Sequence, residues 1–265
     1  MKKALKIVAC MMVFALAGLT ALHAVEEGRK DGKATVRTVH GTVEFLDANN
    51  NWQPVKPNMK FAPGVTLRTG ANGTADISVN GTASAVRMTN STTLQIPTMS
   101  YIGTSREGDT TTMLNLESGS ILGNVKKISA NSRYEIMTPH GVAGIRGTDF
   151  RVEAIPTPDG MFHVRFDSIT GVITVSAVVN GQTITHTLST GTSWEIGDSP
   201  KQMEAQIIQN YQNQIMNMVT EIESIISNGF TGNHHGGGNG NGNNNGANPT
   251  SPFTGGAPQG DQYGN

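Results

Sequence analysis

The stretch Thr138 to Val152 reads T-P-H-G-V-A-G-I-R-G-T-D-F-R-V, and it carries most of the information about the fold. Gly141, Gly144 and Gly147 recur every third residue, and glycine permits positive φ or the close approach of another segment. After the third glycine, β-branched or apolar residues alternate with charged ones, which is typical of a strand with one buried face. We predict a glycine-punctuated loop that runs directly into a strand.

Similar alternating segments separated by turn residues extend from Lys33 to Asp198. This pattern predicts one all-β domain over residues 33–198, built as a sandwich, a roll or a solenoid of many short antiparallel strands. Asn80-Gly81 and Asn180-Gly181 are predicted to form type I′ hairpin turns. The predicted strands are 35–46, 52–55, 64–69, 74–79, 82–88, 92–96, 113–116, 120–125, 133–137, 150–155, 162–166, 171–178, 183–188 and 193–196.

The amino-terminal segment predicts export. Three lysines precede an uncharged apolar run from Ile7 to Leu22 that ends in small residues, which is the layout of a secretory signal peptide. We expect residues 1–24 to be the signal, with cleavage near Ala24 and a periplasmic or extracellular product, or else an uncleaved anchor. Cys10 is the only cysteine, so no disulfide is expected. Removing the three signal lysines from 19 basic residues leaves 16 against 20 acidic ones, which argues against nucleic-acid binding.

A helical pattern follows the β domain. Ser199 and Pro200 suit the first positions of a helix, and apolar residues recur every three or four positions as far as Ile225. We predict an amphipathic helix over 199–228 that either docks on the β domain or self-associates as a coiled-coil candidate to give a homo-oligomer. Residues 229–265 are rich in Gly and Asn, so a disordered tail is expected. The candidate self-association residues are Tyr211, Ile215, Met218, Ile222 and Ile225.

The residues give no support for an enzyme. The sequence contains neither G-x-S-x-G nor H-E-x-x-H, and the glycine stretch is G-x-x-G-x-x-G followed by a predicted strand, which is unsuitable for a dinucleotide. No cofactor or metal is predicted, because His234 and His235 lie in the predicted tail without a fixed geometry. Asp149 beside Arg146 and Arg151 is interpreted as a surface ion pair.

Taken in order, the motifs of this chain resemble those of the FecR domain family. The matching segments are Gly41 to Phe45, Trp52, Pro63 to Gly70, Ala75 to Val79, Leu114 to Gly119, Thr138-Pro139, Arg146 to Val152, Gly171 to Val175 and Leu188 to Gly191. The resemblance covers about residues 35–196. It assigns a structural role to the central motif residues, which are Thr138, Pro139, Gly141, Gly144, Arg146, Gly147, Thr148, Asp149 and Phe150.

The resemblance implies an exported, non-enzymatic module. Named family members are inner-membrane regulators that relay a signal from a TonB-dependent transducer to a sigma factor. They carry a cytoplasmic segment before a membrane helix, whereas only six residues precede the apolar run here. We therefore expect a protein-binding or scaffold module of the bacterial cell envelope, contacting another envelope protein or a glycan through a sheet edge or the glycine stretch. The alternative is a component of cell-surface signalling that modulates a transducer or a sigma/anti-sigma partner through another membrane protein.

Overall fold

The computed structural model describes residues 28–79, 84–103, 108–126 and 128–231, with side chains up to residue 228. Sixteen strands in this part of the chain form one continuous sheet, and one helix follows them. The predicted all-β class with a carboxyl-terminal helix is confirmed. The predicted signal peptide, the Asn80-Gly81 turn and residues 232–265 lie outside the described residues.

The elements are numbered in chain order. The strands are β1 (Arg29–Asp31), β2 (Ala34–His40), β3 (Val43–Leu46), β4 (Trp52–Pro54), β5 (Lys60–Phe61), β6 (Val65–Thr69), β7 (Thr74–Val79), β8 (Ser84–Met88), β9 (Thr93–Ile102), β10 (Asp109–Val125), β11 (Arg133–Met137), β12 (Gly141–Pro156), β13 (Phe162–Val179), β14 (Gln182–Leu188), β15 (Thr192–Glu195) and β16 (Lys201–Gln202), and the helix α1 is Ala205–Thr231.

Three long strands each take part in two layers of the sheet. The first half of β10 pairs with β9 and β11, whereas its second half pairs with β8 and β12. Strands β12 and β13 likewise change neighbours along their length, at a register shift between Arg146 and Asp149. Glycines with positive φ mark the three changes, at Gly119, Gly147 and Gly171. The sheet therefore folds over onto itself.

We call the two halves the open layer and the covered layer. The open layer contains β1, β3, β4, β6, β9, β11, β14 and the adjoining halves of β10, β12 and β13; the covered layer contains β2, β5, β7, β8, β15, β16 and the other halves of those strands. Both layers turn apolar residues toward one shared core. All strand pairs are antiparallel except β10 with β11, which is parallel.

Several predicted boundaries were wrong for one reason, the folding of the sheet. The segment 35–46 is two strands because the chain leaves the covered layer at Gly41, where φ is +63°. The segments 113–116 and 120–125 are one strand of 17 residues. The hairpin turn at Asn180 and Gly181 is confirmed, with φ of 52° and 78°, as type I′ requires.

The helix begins later than predicted. Lys201 and Gln202 pair with Ser193 and Thr192 as β16, so the predicted cap at Ser199 and Pro200 belongs to a strand connection. The first helical hydrogen bonds go to the carbonyl of Glu204. The helix then runs to Thr231, three residues beyond the predicted end. Within the described residues, no helix is both long enough and apolar enough to cross a membrane.

Candidate functional site

The predicted glycine loop is itself mostly strand. Strand β12 begins at Gly141 and continues to Pro156, so the prediction of a loop before Gly147 was wrong. Only Thr138 to His140 form the connection from β11. There the hydroxyl of Thr138 accepts a hydrogen bond from the Gly141 N–H at 3.1 Å, and the Thr138 N–H donates to the Gly141 carbonyl at 2.8 Å. Hydrogen bonds between Thr138 and Gly141 therefore close the turn.

Of the three spaced glycines, Gly147 alone has positive φ, at +63°. It stands where β12 crosses from the open to the covered layer, opposite Gly171 of β13. A Cβ on Gly171 would come within 2.6 Å of the Gly147 carbonyl oxygen, so two backbones touch at this bend. The buried Thr148 fastens the bend, because its hydroxyl lies 3.1 Å from the Val172 carbonyl. Gly144 has no such constraint.

Phe150 anchors the covered layer in the core. Its side chain is fully buried and lies over Gly123, which is its direct partner on β10. A Cβ on Gly123 would overlap the Phe150 ring. Sequence reasoning missed Gly123, although a glycine inside an otherwise alternating strand often marks the close approach of another group.

Asp149 does not form the ion pair that we predicted with Arg146 or Arg151. Its carboxylate accepts hydrogen bonds from the Asn124 amide at 2.6 Å and from the Thr170 hydroxyl at 2.8 Å. Arg146 is exposed and belongs to the open-layer half of β12. The carboxylate is thus held between β10 and β13 as part of the sheet.

A charged network crosses the outer face of the covered layer beneath the helix. Arg151 pairs with Glu153 and approaches Asp167 at 3.5 Å, and Arg165 reaches the same Asp167 at 3.1 Å. Asp167 is buried and also accepts a hydrogen bond of 2.6 Å from the Ser193 hydroxyl. Burial acts to lower the pKa of Arg165, but Asp167 and Glu153 outweigh it and the pKa is raised. These four charges balance one another.

A cavity of about 530 Å³ lies beside this network, between the helix and the end of the covered layer. Tyr211 forms its wall, and the Arg151 guanidinium lies 5.2 Å from the centre of the Tyr211 ring. A second cavity of about 380 Å³ on the other side of the helix includes Asn124 and Asp149. The carboxylates that line the two cavities are held within the protein, since Glu153 pairs with Arg151 and Asp149 accepts hydrogen bonds from Asn124 and Thr170.

The helix docks on the outer face of the covered layer. Ile215, Met218 and Ile222 are buried against Ala85, Leu122 and Ile169. Tyr211 packs at the margin of this cluster and Ile225 is half-buried. Docking is therefore the alternative that the structure adopts. Self-association through the five helix residues stays a prediction, and four of those residues already have an intramolecular partner.

The outer face of the open layer has no covering element among the described residues. Val142, Val172 and Val178 are 39%, 48% and 62% exposed there. Strand β14 forms its margin and pairs only with β13. This face and this edge are thus uncovered in the described part of the chain.

Part of the chain matches a known protein family. Residues 65–166 match the family model described as FecR protein. The FecR assignment therefore holds for residues 65–166 of the chain. The match begins at β6 and ends in β13 at Phe166, so it includes the Thr138 turn, the Gly147 bend and the Gly123–Phe150 contact. The uncovered edge strand β14 and the helix follow the matched residues. No curated protein matches the chain.

Two crystal structures were also found to be similar. Both are of a protein of Parabacteroides distasonis provisionally described as an anti-sigma factor, at 1.65 Å and 2.50 Å resolution. Their TM-scores are 0.42 and 0.41 at 12% identity, and 56% of this chain is covered. The alignments span 64% and 63% of those chains, less than two thirds of each. At such TM-scores the similarity carries no argument about partners.

The histidines that the structure describes are spread over separate elements. His163 lies 2.9 Å from Glu195, and His186 packs its ring against Trp194 with centroids 4.5 Å apart. His140 stacks edge-on with Phe162. Among the described residues, no three His, Cys, Asp or Glu side chains cluster as a metal site would require. His140, His163 and His186 thus each contact a different neighbour.

Proposed function

We propose that this chain is an exported, non-enzymatic FecR-domain protein that binds another protein of the bacterial cell envelope. The observation that carries the proposal is the uncovered outer face of the open layer. Three valines are exposed on the neighbouring strands β12 and β13. Val142 pairs with Ser176 of β13, so it is a diagonal neighbour of Val178, two residues further along that strand. Exposed apolar side chains grouped on one face are characteristic of interaction surfaces.

The charged groups beneath the helix are paired within the fold, which supports binding over catalysis there. Arg151, Arg165, Glu153 and Asp167 pair with one another, and a general acid or base would need to reach a substrate. The proposed role therefore rests on surface shape and composition. A glycan partner stays a prediction.

A second candidate function is a component of cell-surface signalling that modulates a transducer or a sigma/anti-sigma partner through another membrane protein. The observation that favours it is the FecR match over residues 65–166. It requires the same kind of surface, because signalling would pass through contact with a membrane partner.

The experiment is affinity capture from envelope fractions with a matched pair of variants. Val142→Glu adds a charge to the open face, and Ile207→Glu adds the same charge to the helix at nearly equal exposure, 39% against 38%. A protein that is retained by wild type and Ile207→Glu but lost from Val142→Glu supports the proposal. Capture that Val142→Glu leaves unchanged would contradict it.

The identity of the captured protein separates the two candidates. Recovery of a TonB-dependent transducer or an anti-sigma factor supports the signalling role. Recovery of another envelope protein, with neither of these present, supports the scaffold role and argues against signalling.

A further inference from the structure

Strand β14 differs from the other sheet edges of the described chain. It has seven residues, Q-T-I-T-H-T-L, with neither proline nor a Lys, Arg, Asp or Glu. Strand β1 is Arg-Lys-Asp, β4 ends in Pro54, and β5 and β16 have two residues each. Short length, charge and proline are the usual protections against edge-to-edge pairing. They are present at these four edges and absent at β14.

The backbone of β14 is ready to pair. The two-residue turn makes Val179 and Gln182 a hydrogen-bonded pair, and such pairs alternate along a hairpin. The N–H and C=O groups of Thr183, Thr185 and Thr187 therefore point away from β13. Their side chains stand on the open face beside Val178 and Ser176. Three donors and three acceptors line this edge.

We propose that a second copy of the protein pairs with this edge, β14 against β14 in antiparallel orientation, with Thr185 on the two-fold axis. In this register Thr185 faces its own symmetry mate, and Thr183 faces Thr187 of the second copy. Each facing pair exchanges two hydrogen bonds. The two open layers then form one continuous sheet across the dimer. This inference is independent of the envelope partner proposed above.

The composition of β14 favours a second copy over other occupants. When two identical strands pair about a two-fold axis, each charged side chain near the axis lies close to its own copy and is repelled by it. Strand β14 contains no Lys, Arg, Asp or Glu, so this repulsion does not arise. Thr–Thr pairs across antiparallel strands are favourable. On the inner side, the half-buried Ile184 would gain an additional neighbour in His186 of the second copy. Residues 232–265 are rich in Gly and Asn, which are poor strand formers, so the tail is a poorer occupant.

The first experiment measures the mass of the full chain by sedimentation over a concentration series. Thr185→Pro removes an outward N–H that none of the sixteen described strands uses, and an edge strand tolerates proline at such a position. Thr185→Val is the matched control, because both variants lose the Thr185 hydroxyl contact with Ser176 at 2.9 Å. Wild type and Thr185→Val should reach twice the chain mass, whereas Thr185→Pro should remain at the single-chain mass. A wild type that stays monomeric, or a dimeric Thr185→Pro, overturns the proposal.

The second experiment tests the register. Because Cys10 is the only cysteine, a Cys10→Ser background allows single cysteines to be placed in β14. Thr185→Cys lies opposite itself at a Cα separation of about 5.5 Å, within disulfide range. Thr187→Cys would lie about 15 Å from its symmetry mate, since four residues at roughly 3.4 Å each and the separation of the two strands lie between them. Mild oxidation should link Thr185→Cys chains and leave Thr187→Cys chains unlinked; equal linking would overturn the register.

A helix variant separates this edge from self-association through α1. Met216 is 60% exposed on the helix, so Met216→Glu should disturb a helix-mediated dimer and leave a β14 dimer intact. Dissociation of the dimer by Met216→Glu would overturn the β14 proposal. A dimer that persists in Met216→Glu and is lost in Thr185→Pro would support it.

Discussion

The two outer faces of the folded sheet differ in what covers them. On the covered layer, Leu122 and Ile169 lie under Met218 of the helix and are buried. On the open layer, Val172 and Val178 lie on the outer face of β13, the strand that also contains Ile169, and they remain exposed. Alternation along a strand predicts which residues share a face, but a second element decides whether that face is buried.

The same contrast holds for ion pairs. Arg87 and Asp76 face each other on β8 and β7 of the covered layer with contacts of 2.6 and 2.7 Å, and Asp76 is buried. Arg68 and Glu44 face each other on β6 and β3 of the open layer at 2.7 Å, and both are partly exposed. The hydrogen bond with Asp76 raises the pKa of Arg87 against its burial. The two ion pairs have similar distances but different burial, so we expect them to contribute differently to the free energy of unfolding.

The largest effect is expected under the helix. Met218→Ala should lower the free energy of unfolding by about 2–5 kcal/mol, because a buried methionine leaves a cavity. Met216→Ala, on the exposed side of the same helix, should change it by less than about 0.5 kcal/mol. Urea unfolding of both variants measures the difference. Equal values would show that the helix does not stabilise the covered layer.

The bend that joins the layers comes next. Gly147→Val should cost about 1–3 kcal/mol, because a β-branched residue is strained at φ of +63°. Gly144→Ala is the control, since φ is not positive there and its added Cβ would have no atom closer than 3.8 Å. Thermal melting compares the two. A Gly147→Val variant that melts like wild type would contradict the role of this bend.

The two ion pairs provide a matched test of burial. Asp76→Asn should destabilise the fold by about 1–3 kcal/mol, because the half-buried Arg87 loses its charged partner. Glu44→Gln removes the equivalent charge from the open layer and should cost about 0–1 kcal/mol. Urea midpoints at neutral pH give both values. If the two substitutions cost the same, burial is not what distinguishes the layers.

The smallest effect concerns Asp47, in the exposed turn between β3 and β4 of the open layer. The backbone N–H of Asn51 lowers the pKa of this carboxyl, helped by Gln53 and Asn49. A lowered pKa stabilises the fold above the unfolded pKa of about 3.9, and this contribution is lost as pH falls through the folded pKa. Asp47→Asn should therefore be slightly less stable than wild type at about pH 7 and equal to it at about pH 2. A difference in stability between Asp47→Asn and wild type that persists in acid would contradict the lowered pKa of Asp47.

Local pattern predicted individual strands well where they stay in one layer. Thr74–Val79 and Arg133–Met137 have the predicted bounds, and Asn180-Gly181 forms the predicted turn. The crossing strands were misjudged, because a strand that bends between layers keeps its backbone hydrogen bonds while its alternation is interrupted. At Ser120 to Gly123 both faces of the strand are buried, one by the core and one by the helix. The sequence there therefore lacks the alternation of apolar and polar residues that marks a strand.

In the candidate site too, local features could be predicted from the sequence and contacts between distant strands could not. The motif from Thr138 to Phe150 led correctly to the FecR domain, but its glycines were read as a loop. The Gly123–Phe150 contact joins residues 27 positions apart, and the charged network under the helix joins β12, β13 and β15. No local spacing encodes these contacts, since they depend on how distant strands are placed in register.

The sequence by itself determined the all-β class, the family, the hairpin at Asn180 and the amphipathic character of the helix, because alternation, turn chemistry and helical periodicity act over a few residues. Only the tertiary structure decided that the sheet folds at its glycines, that Asp149 bonds to Asn124 and Thr170, and that the helix covers one layer and leaves the other open. Those outcomes depend on burial between distant segments, and burial is a property of the packed chain.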